Sequence, residues 1–240
     1  MILAVLFASL INEPGPLAGH AMVYSEASHS VLMFGGDASG KAPLYSWQDA
    51  KWVPVAGSEL PIRSLAATAS DTEGNVLVHG GSIATPKGGG NFDYKLSAET
   101  WMWDGKTWKL VATSGPPPRD HHTMVYDSAR KRFVLYGGSD ADPTGRSVFY
   151  GDTWEWVESK WKLITQTGPP ARCHHAMAYD PIRKLTVLVG GYGPNGADGR
   201  TWLWDGETWK STETPKTPAV RGSPRMVWDE KRAEIILFGG

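Results

Sequence analysis

Residues 119–138 read RDHHTMVYDSARKRFVLYGG and residues 151–164 read GDTWEWVESKWKLI; together they describe one structural unit. An alternating apolar run, Thr123 to Tyr126, leads into a polar turn, Asp127 to Arg132. A second run, Phe133 to Tyr136, is continuously apolar, as a buried strand would be, and stops at the pair Gly137-Gly138. A polar loop follows, then a Trp-x-Trp strand at Trp154 and Trp156, then a strand opened by Trp161. Short β-prone runs divided by turn residues predict four strands.

The unit repeats. Glycine pairs recur at Gly35-Gly36, Gly80-Gly81, Gly137-Gly138, Gly190-Gly191 and Gly239-Gly240, each after an apolar run, at intervals of 45 to 57 residues. A second series keeps step with the first. Trp101, Trp103 and Trp108 match Trp154, Trp156 and Trp161, and match Trp202, Trp204 and Trp209; Tyr45, Trp47 and Trp52 hold these places in the first unit. Asp104-Gly105 and Asp205-Gly206 are tight-hairpin signals between these strands. A third series is Arg63, Arg119, Arg172 and Arg221, each just before the first strand of a unit, with Leu17 in that place in the first.

A period near 50 with four strands per unit marks the blade of a β-propeller. One four-stranded sheet cannot bury both faces alone, so neighbouring blades must stack face to face. A large indole on an outer strand supplies much of that contact area. The glycine pair ends the second strand where a side chain would clash or where φ must be positive. The tryptophans and glycines therefore read as scaffold.

These residues resemble the kelch repeat: an apolar first strand, a second strand ending in Gly-Gly, then an aromatic residue and a spaced tryptophan. The resemblance covers about residues 17 to 240. The forms Trp-x-Trp-Asp-Gly-x-x-Trp and His-x-Met-x-Tyr-Asp look like kelch proteins of bacterial type. The resemblance implies an all-β propeller of the galactose-oxidase-like superfamily, a fold that hosts both binding modules and enzymes.

The expected organisation is one domain over 1–240. It comprises an outer strand and link over 1–16, blades over about 17–62, 63–118, 119–171 and 172–220, and a partial blade over 221–240. The apolar stretch 1–11 is too short to span a membrane and lacks a basic start and a clear cleavage site. Leu6 to Ile11 aligns instead with an outer strand. The unit count fits either a five-bladed ring or part of a six- or seven-bladed one, the latter favoured. Charge is balanced, with 24 basic and 25 acidic residues and no basic tract, so nucleic acid is not the expected partner. The lone Cys173 excludes an internal disulfide and leaves both cytoplasm and secretion open.

In an up-and-down blade, the loops after strand two and the links from strand four to the next blade share one face. The variable loops 82–99, 139–152 and 192–200 and the arginine series converge there. Loops on a rigid scaffold carry function, and a guanidinium suits carboxylate or phosphate. Candidate ligand contacts are Arg63, Arg119, Arg172, Arg221, Lys87, Tyr94, Arg146 and Arg200. The alternative for the arginines is bracing, since repetition in every blade favours a structural role. Adjacent histidines on a strand point to opposite faces, so neither His121-His122 nor His174-His175 can chelate from one face. No metal and no cofactor is expected.

The function expected is a binding module with a protein or carbohydrate ligand. The alternative is a kelch-fold enzyme acting on sugars. A galactose-oxidase type implies copper held by two tyrosines and two histidines, with a cysteine cross-linked to one tyrosine; the surroundings of Cys173 do not match that motif. An epimerase or a specifier protein is the copper-free form.

Overall fold

The computed structural model describes residues 14, 17–36, 44–56, 58–61, 63–89, 91–141, 144–212 and 221–240. The expected strand over Leu6 to Ile11 lies outside the described residues. Four antiparallel sheets follow one another along the chain. The first is β1 (Ala21–Ser25), β2 (Ser30–Phe34), β3 (Tyr45–Gln48) and β4 (Lys51–Pro54). The second sheet uses β5 (Ala67–Ser70) and β6 (Val76–His79). A separate hairpin then projects from it, β7 (Ser82–Gly88) and β8 (Asn91–Leu96), before β9 (Thr100–Trp103) and β10 (Trp108–Ala112) complete it.

The third sheet repeats this plan. It holds β11 (Thr123–Asp127) and β12 (Arg132–Tyr136), the projecting hairpin β13 (Ser139–Ala141) and β14 (Ser147–Phe149), then β15 (Thr153–Val157) and β16 (Lys160–Thr165). In the fourth, β17 (Cys173–Asp180) and β18 (Leu185–Gly193) run on past the glycine pair. There β18 also pairs with β19 (Gly196–Ala197), and β20 (Thr201–Trp204) and β21 (Trp209–Thr212) follow. A two-stranded sheet, β22 (Arg225–Asp229) and β23 (Glu234–Phe238), comes last. The chain is all-β and propeller-like, with four complete blades. The segments read as polar loops carry hairpins of their own, because Ile83, Phe92 and Tyr94 or Val148 and Phe149 give them paired β-prone residues.

Each apolar core lies between consecutive blades, as stacking requires. Leu32, Phe34, Leu44, Leu60, Val76, Val78 and Trp103 fill the first gap. Ala67, Leu77, Met124, Phe133, Leu135 and Trp156 fill the second, and Val134, Tyr136, Met177, Tyr179, Leu188 and Trp204 the third. In the second, third and fourth blades the first indole of the outer strand crosses to the preceding blade. Trp108 donates its ring N–H to the Ser58 carbonyl at 3.0 Å, Trp161 to Thr100 Oγ1 at 2.7 Å and Trp209 to Thr153 Oγ1 at 2.8 Å. The same rings pack edge-on against Phe34, His79 and Tyr136, the residues just before each glycine pair. Trp209 is buried as expected; Trp108 and Trp161 are half-buried.

The glycine pair has a physical cause at the third blade. Gly137 sits at φ +68°, and a Cβ there would stand 2.6 Å from the Arg172 carbonyl oxygen of the next blade. Gly138 donates its N–H to that same oxygen at 2.9 Å. Close backbone approach between blades therefore excludes a side chain.

Around the central channel, consecutive blades are joined by a belt of main-chain hydrogen bonds. Ser223 N–H donates to the His174 carbonyl, His174 to His121, His121 to Leu65, and Leu65 to Gly19, at 2.8 to 3.2 Å. Every one of these residues is in the left-handed region, φ +51° to +72°. The turn aims each N–H sideways at the neighbouring blade rather than along its own strand.

Candidate functional site: a cleft between two hairpins

The arginine series is built into the blades. The Arg63, Arg119 and Arg172 side chains are withdrawn from solvent. Arg119 shows the pattern: Nε donates to the Pro117 carbonyl, Nη1 to the Gly137 carbonyl, and Nη1 and Nη2 to the two carboxylate oxygens of Asp152. Arg63 repeats it with Pro61, Gly80 and Glu99, and Arg172 with Pro170, Gly190 and Asp198. Each acid also accepts the indole N–H of the blade's third strand, from Trp101, Trp154 or Trp202. The second glycine of the preceding blade donates to each arginine's own carbonyl. Each residue thus ties two strands of its blade by its side chain and the previous blade by its backbone.

The electrostatics follow. Burial works to raise the Asp152 carboxyl, but the Arg119 guanidinium and the Trp154 N–H outweigh it and hold the group below its ordinary value. Asp198 is held far below the usual carboxylate range in the same way, burial being outweighed by Arg200, Arg172 and Trp202. Burial lowers the Arg63 guanidinium, and Glu99 offsets part of that.

The inner histidine of each pair is scaffold. His122 and His175 are buried, and His122 Nε2 bonds the His79 carbonyl of the preceding blade at 3.1 Å. Burial, with the Arg172 charge, pushes His175 down to about 3; burial, with Arg119 and Arg63, does the same to His79. The outer histidines are different. His121 and His174 belong to the belt, and their rings stack at 3.8 Å with an interplanar angle of 24°. The Tyr192 ring continues the stack on His174 at 5.0 Å and 19°. Asp120 Oδ1 lies 2.8 Å from His121 Nδ1 and accepts from Ser139 Oγ at 3.0 Å.

These rings floor a cleft of about 560 Å³ between the hairpins β7–β8 and β13–β14. Tyr94, Lys95 and Leu96 form one wall and Asp140, Ala141, Ser147 and Phe149 the other, with Tyr192 and Cys173 at the end nearest the fourth blade. Cys173 is buried opposite Tyr192 in the β17–β18 register, and burial raises its thiol. Below the cleft, the first strands of the blades surround a central cavity of about 430 Å³. Among the described residues, no group of three or more histidine, cysteine or acidic side chains could hold a metal ion.

Of the residues singled out in the sequence, Tyr94 lines the cleft and is 67% exposed. Lys87 stands near the tip of β7–β8 and pairs with Asp93; Arg146 is exposed between β13 and β14. Arg200 lies over the Trp202 ring at 5.0 Å and shares Asp198 with Arg172. Arg221 donates to the Gly239 carbonyl at 2.8 Å. His121, His174, Tyr192, Phe149 and Asp120 were not singled out as ligand contacts. The signal for the outer histidines was their place one residue before the buried member of each pair.

A solved structure titled "Structure of YjhT" superposes on this chain with a TM-score of 0.69 at 15% identity, covering 91% of this chain and 71% of that one. That likeness is one of fold. No helix among the described residues is long and apolar enough to cross a membrane. The family model described as the KLHDC2/KLHL20/DRC7 Kelch-repeats domain matches residues 66–240. With its Gly-Gly strand ends, crossing indoles and stacked four-stranded blades, the chain belongs to this kelch-repeat family.

Proposed function

We propose that this chain is a protein-binding kelch module that takes its ligand in the cleft between the β7–β8 and β13–β14 hairpins. Kelch repeats typically mediate protein interactions. The observation that carries the reading is the stacked floor of His121, His174 and Tyr192 between two projecting hairpins, one of which displays the exposed Tyr94. Aromatic side chains give large contact area for little lost entropy. Arg221, Lys87, Arg146 and Arg200 belong to the same loop face and form the outer part of the proposed surface. Arg63, Arg119 and Arg172 act beneath it as braces that keep the floor rigid.

A carbohydrate is the second reading, favoured by the flat Tyr192–His174 stack, on which a sugar ring could lie. Titrating the purified chain against a random peptide library and a glycan array separates the two. Peptide binding that weakens at least fivefold in Tyr94→Ala and Tyr192→Ala, and is unchanged in Arg183→Ala on the opposite hairpin tips, supports the proposal. Glycan binding with the same dependence favours the second reading. Binding sensitive to Arg183→Ala alone overturns the face assignment.

A further inference from the structure

We propose that the cleft receives a cationic side chain, a lysine or an arginine, presented by the protein partner. This deepens the reading above and rests on it. Tyr94, Phe149 and Tyr192 come from the loop regions of three different blades and line one cavity with the His121–His174 stack. Phe149 and Tyr192 are themselves in edge contact, centroids 6.4 Å apart. The face of an aromatic ring carries negative charge density and attracts an ammonium or guanidinium within about 6 Å. Rings gathered from several blades around one cleft suit a cation better than a flat surface does.

The charges in the lining agree. Two carboxylates, Asp120 and Asp140, stand against one ammonium, Lys95. Ser139 and His121 both meet Asp120 at Oδ1. His174 adds little repulsion at neutral pH: burial first, then the neighbouring His121, lower its affinity for a proton and outweigh Asp120, which raises it. An anionic side chain would meet both carboxylates and the electron-rich ring faces. A purely apolar one would remove water from the Asp120 carboxylate without supplying a countercharge. The same contact occurs elsewhere in the fold, where Arg119 lies 3.9 Å from the Tyr150 ring centroid.

The test is position-scanning of peptides selected from a random library on the full chain. One anchor position should hold Lys or Arg, and its replacement by norleucine should weaken binding about five- to thirtyfold. Tetramethylammonium chloride should compete, and sodium chloride at equal ionic strength should compete less. Tyr94→Phe should keep the preference for a cation, Tyr94→Leu should reduce it at unchanged stability, and Asp120→Asn should weaken the cationic peptide more than its norleucine analogue. Equal binding of the norleucine peptide, or an anchor selected as Asp or Glu, overturns this proposal while leaving a protein-binding loop face intact. Selected peptides that ignore Tyr94 and Tyr192 but respond to Arg183→Ala overturn both.

Discussion

Arg119 holds Asp152 in a two-pronged bond, Nη1 to Oδ1 at 2.6 Å and Nη2 to Oδ2 at 2.9 Å, with the guanidinium wholly out of water. A buried pair of this kind is most costly when one partner is removed, because the other is left charged and unpaired. Arg119→Ala should therefore destabilise the fold by about 3–5 kcal/mol, read from urea unfolding. Binding by the folded fraction should be unchanged; a binding loss at unchanged stability would make Arg119 a ligand contact instead.

The same pair has a pH signature. The Asp152 carboxyl titrates below its ordinary value of 3.8 in the folded protein, so the bridge contributes fully above that pH. Its contribution is lost as pH falls through the lower folded value. Acid unfolding in this range should be less steep for Asp152→Asn than for the parent chain.

The buried histidines act at milder acidity. His79 and His175 have folded values of about 3 against 6.5 for an unperturbed ring, so between those limits the unfolded chain binds more protons. Stability should then fall as pH drops from 6.5 toward 3, by up to about 1.4 kcal/mol per pH unit for each ring. His175→Gln should flatten the slope. An identical slope in the variant would mean that the ring is not held neutral.

Trp209 packs on Tyr136 and Trp204 and bonds Thr153, all out of solvent. Trp209→Ala should cost about 3–5 kcal/mol. Trp108→Ala should cost less, since that indole is half-buried. Equal losses in thermal unfolding would refute the ranking.

Gly137→Ala should destabilise by about 1–3 kcal/mol, because the position is left-handed and its Cβ would press on the Arg172 carbonyl. Gly145→Ala, also at positive φ but with open space around its Cβ, should cost less. Paired melting curves of the two variants check this.

The blades were legible because their determinants recur in step: Gly137 with Gly190, Trp154 with Trp202, Trp161 with Trp209. The arginines were legible as a series and ambiguous in role. Their acid partners, Glu99, Asp152 and Asp198, lie 26 to 36 residues away, beyond loops of different length. Only the fold shows that each acid stands beside a third-strand indole and closes over the guanidinium. The cleft was half legible. Tyr94 stands on a variable loop, where a large ring calls for explanation. His121 and His174 looked like scaffold because their neighbours are scaffold; a left-handed turn separates the two roles, and no sequence period marks a turn that Gly19, Leu65 and Ser223 also adopt.

The belt around the channel is made of peptide groups alone, so its spacing does not depend on which side chains it carries. Leu65, His121, His174 and Ser223 hold the same left-handed turn with four different side chains, so the belt is one conformation carrying varied chemistry. Changing the chemistry presented at the rim, among residues that tolerate a left-handed turn, leaves these main-chain bonds in place. A library varied only at positions 65, 121, 174 and 223 should keep the melting temperature nearly constant while the bound ligand changes, which makes this rim the natural place to re-specify the protein.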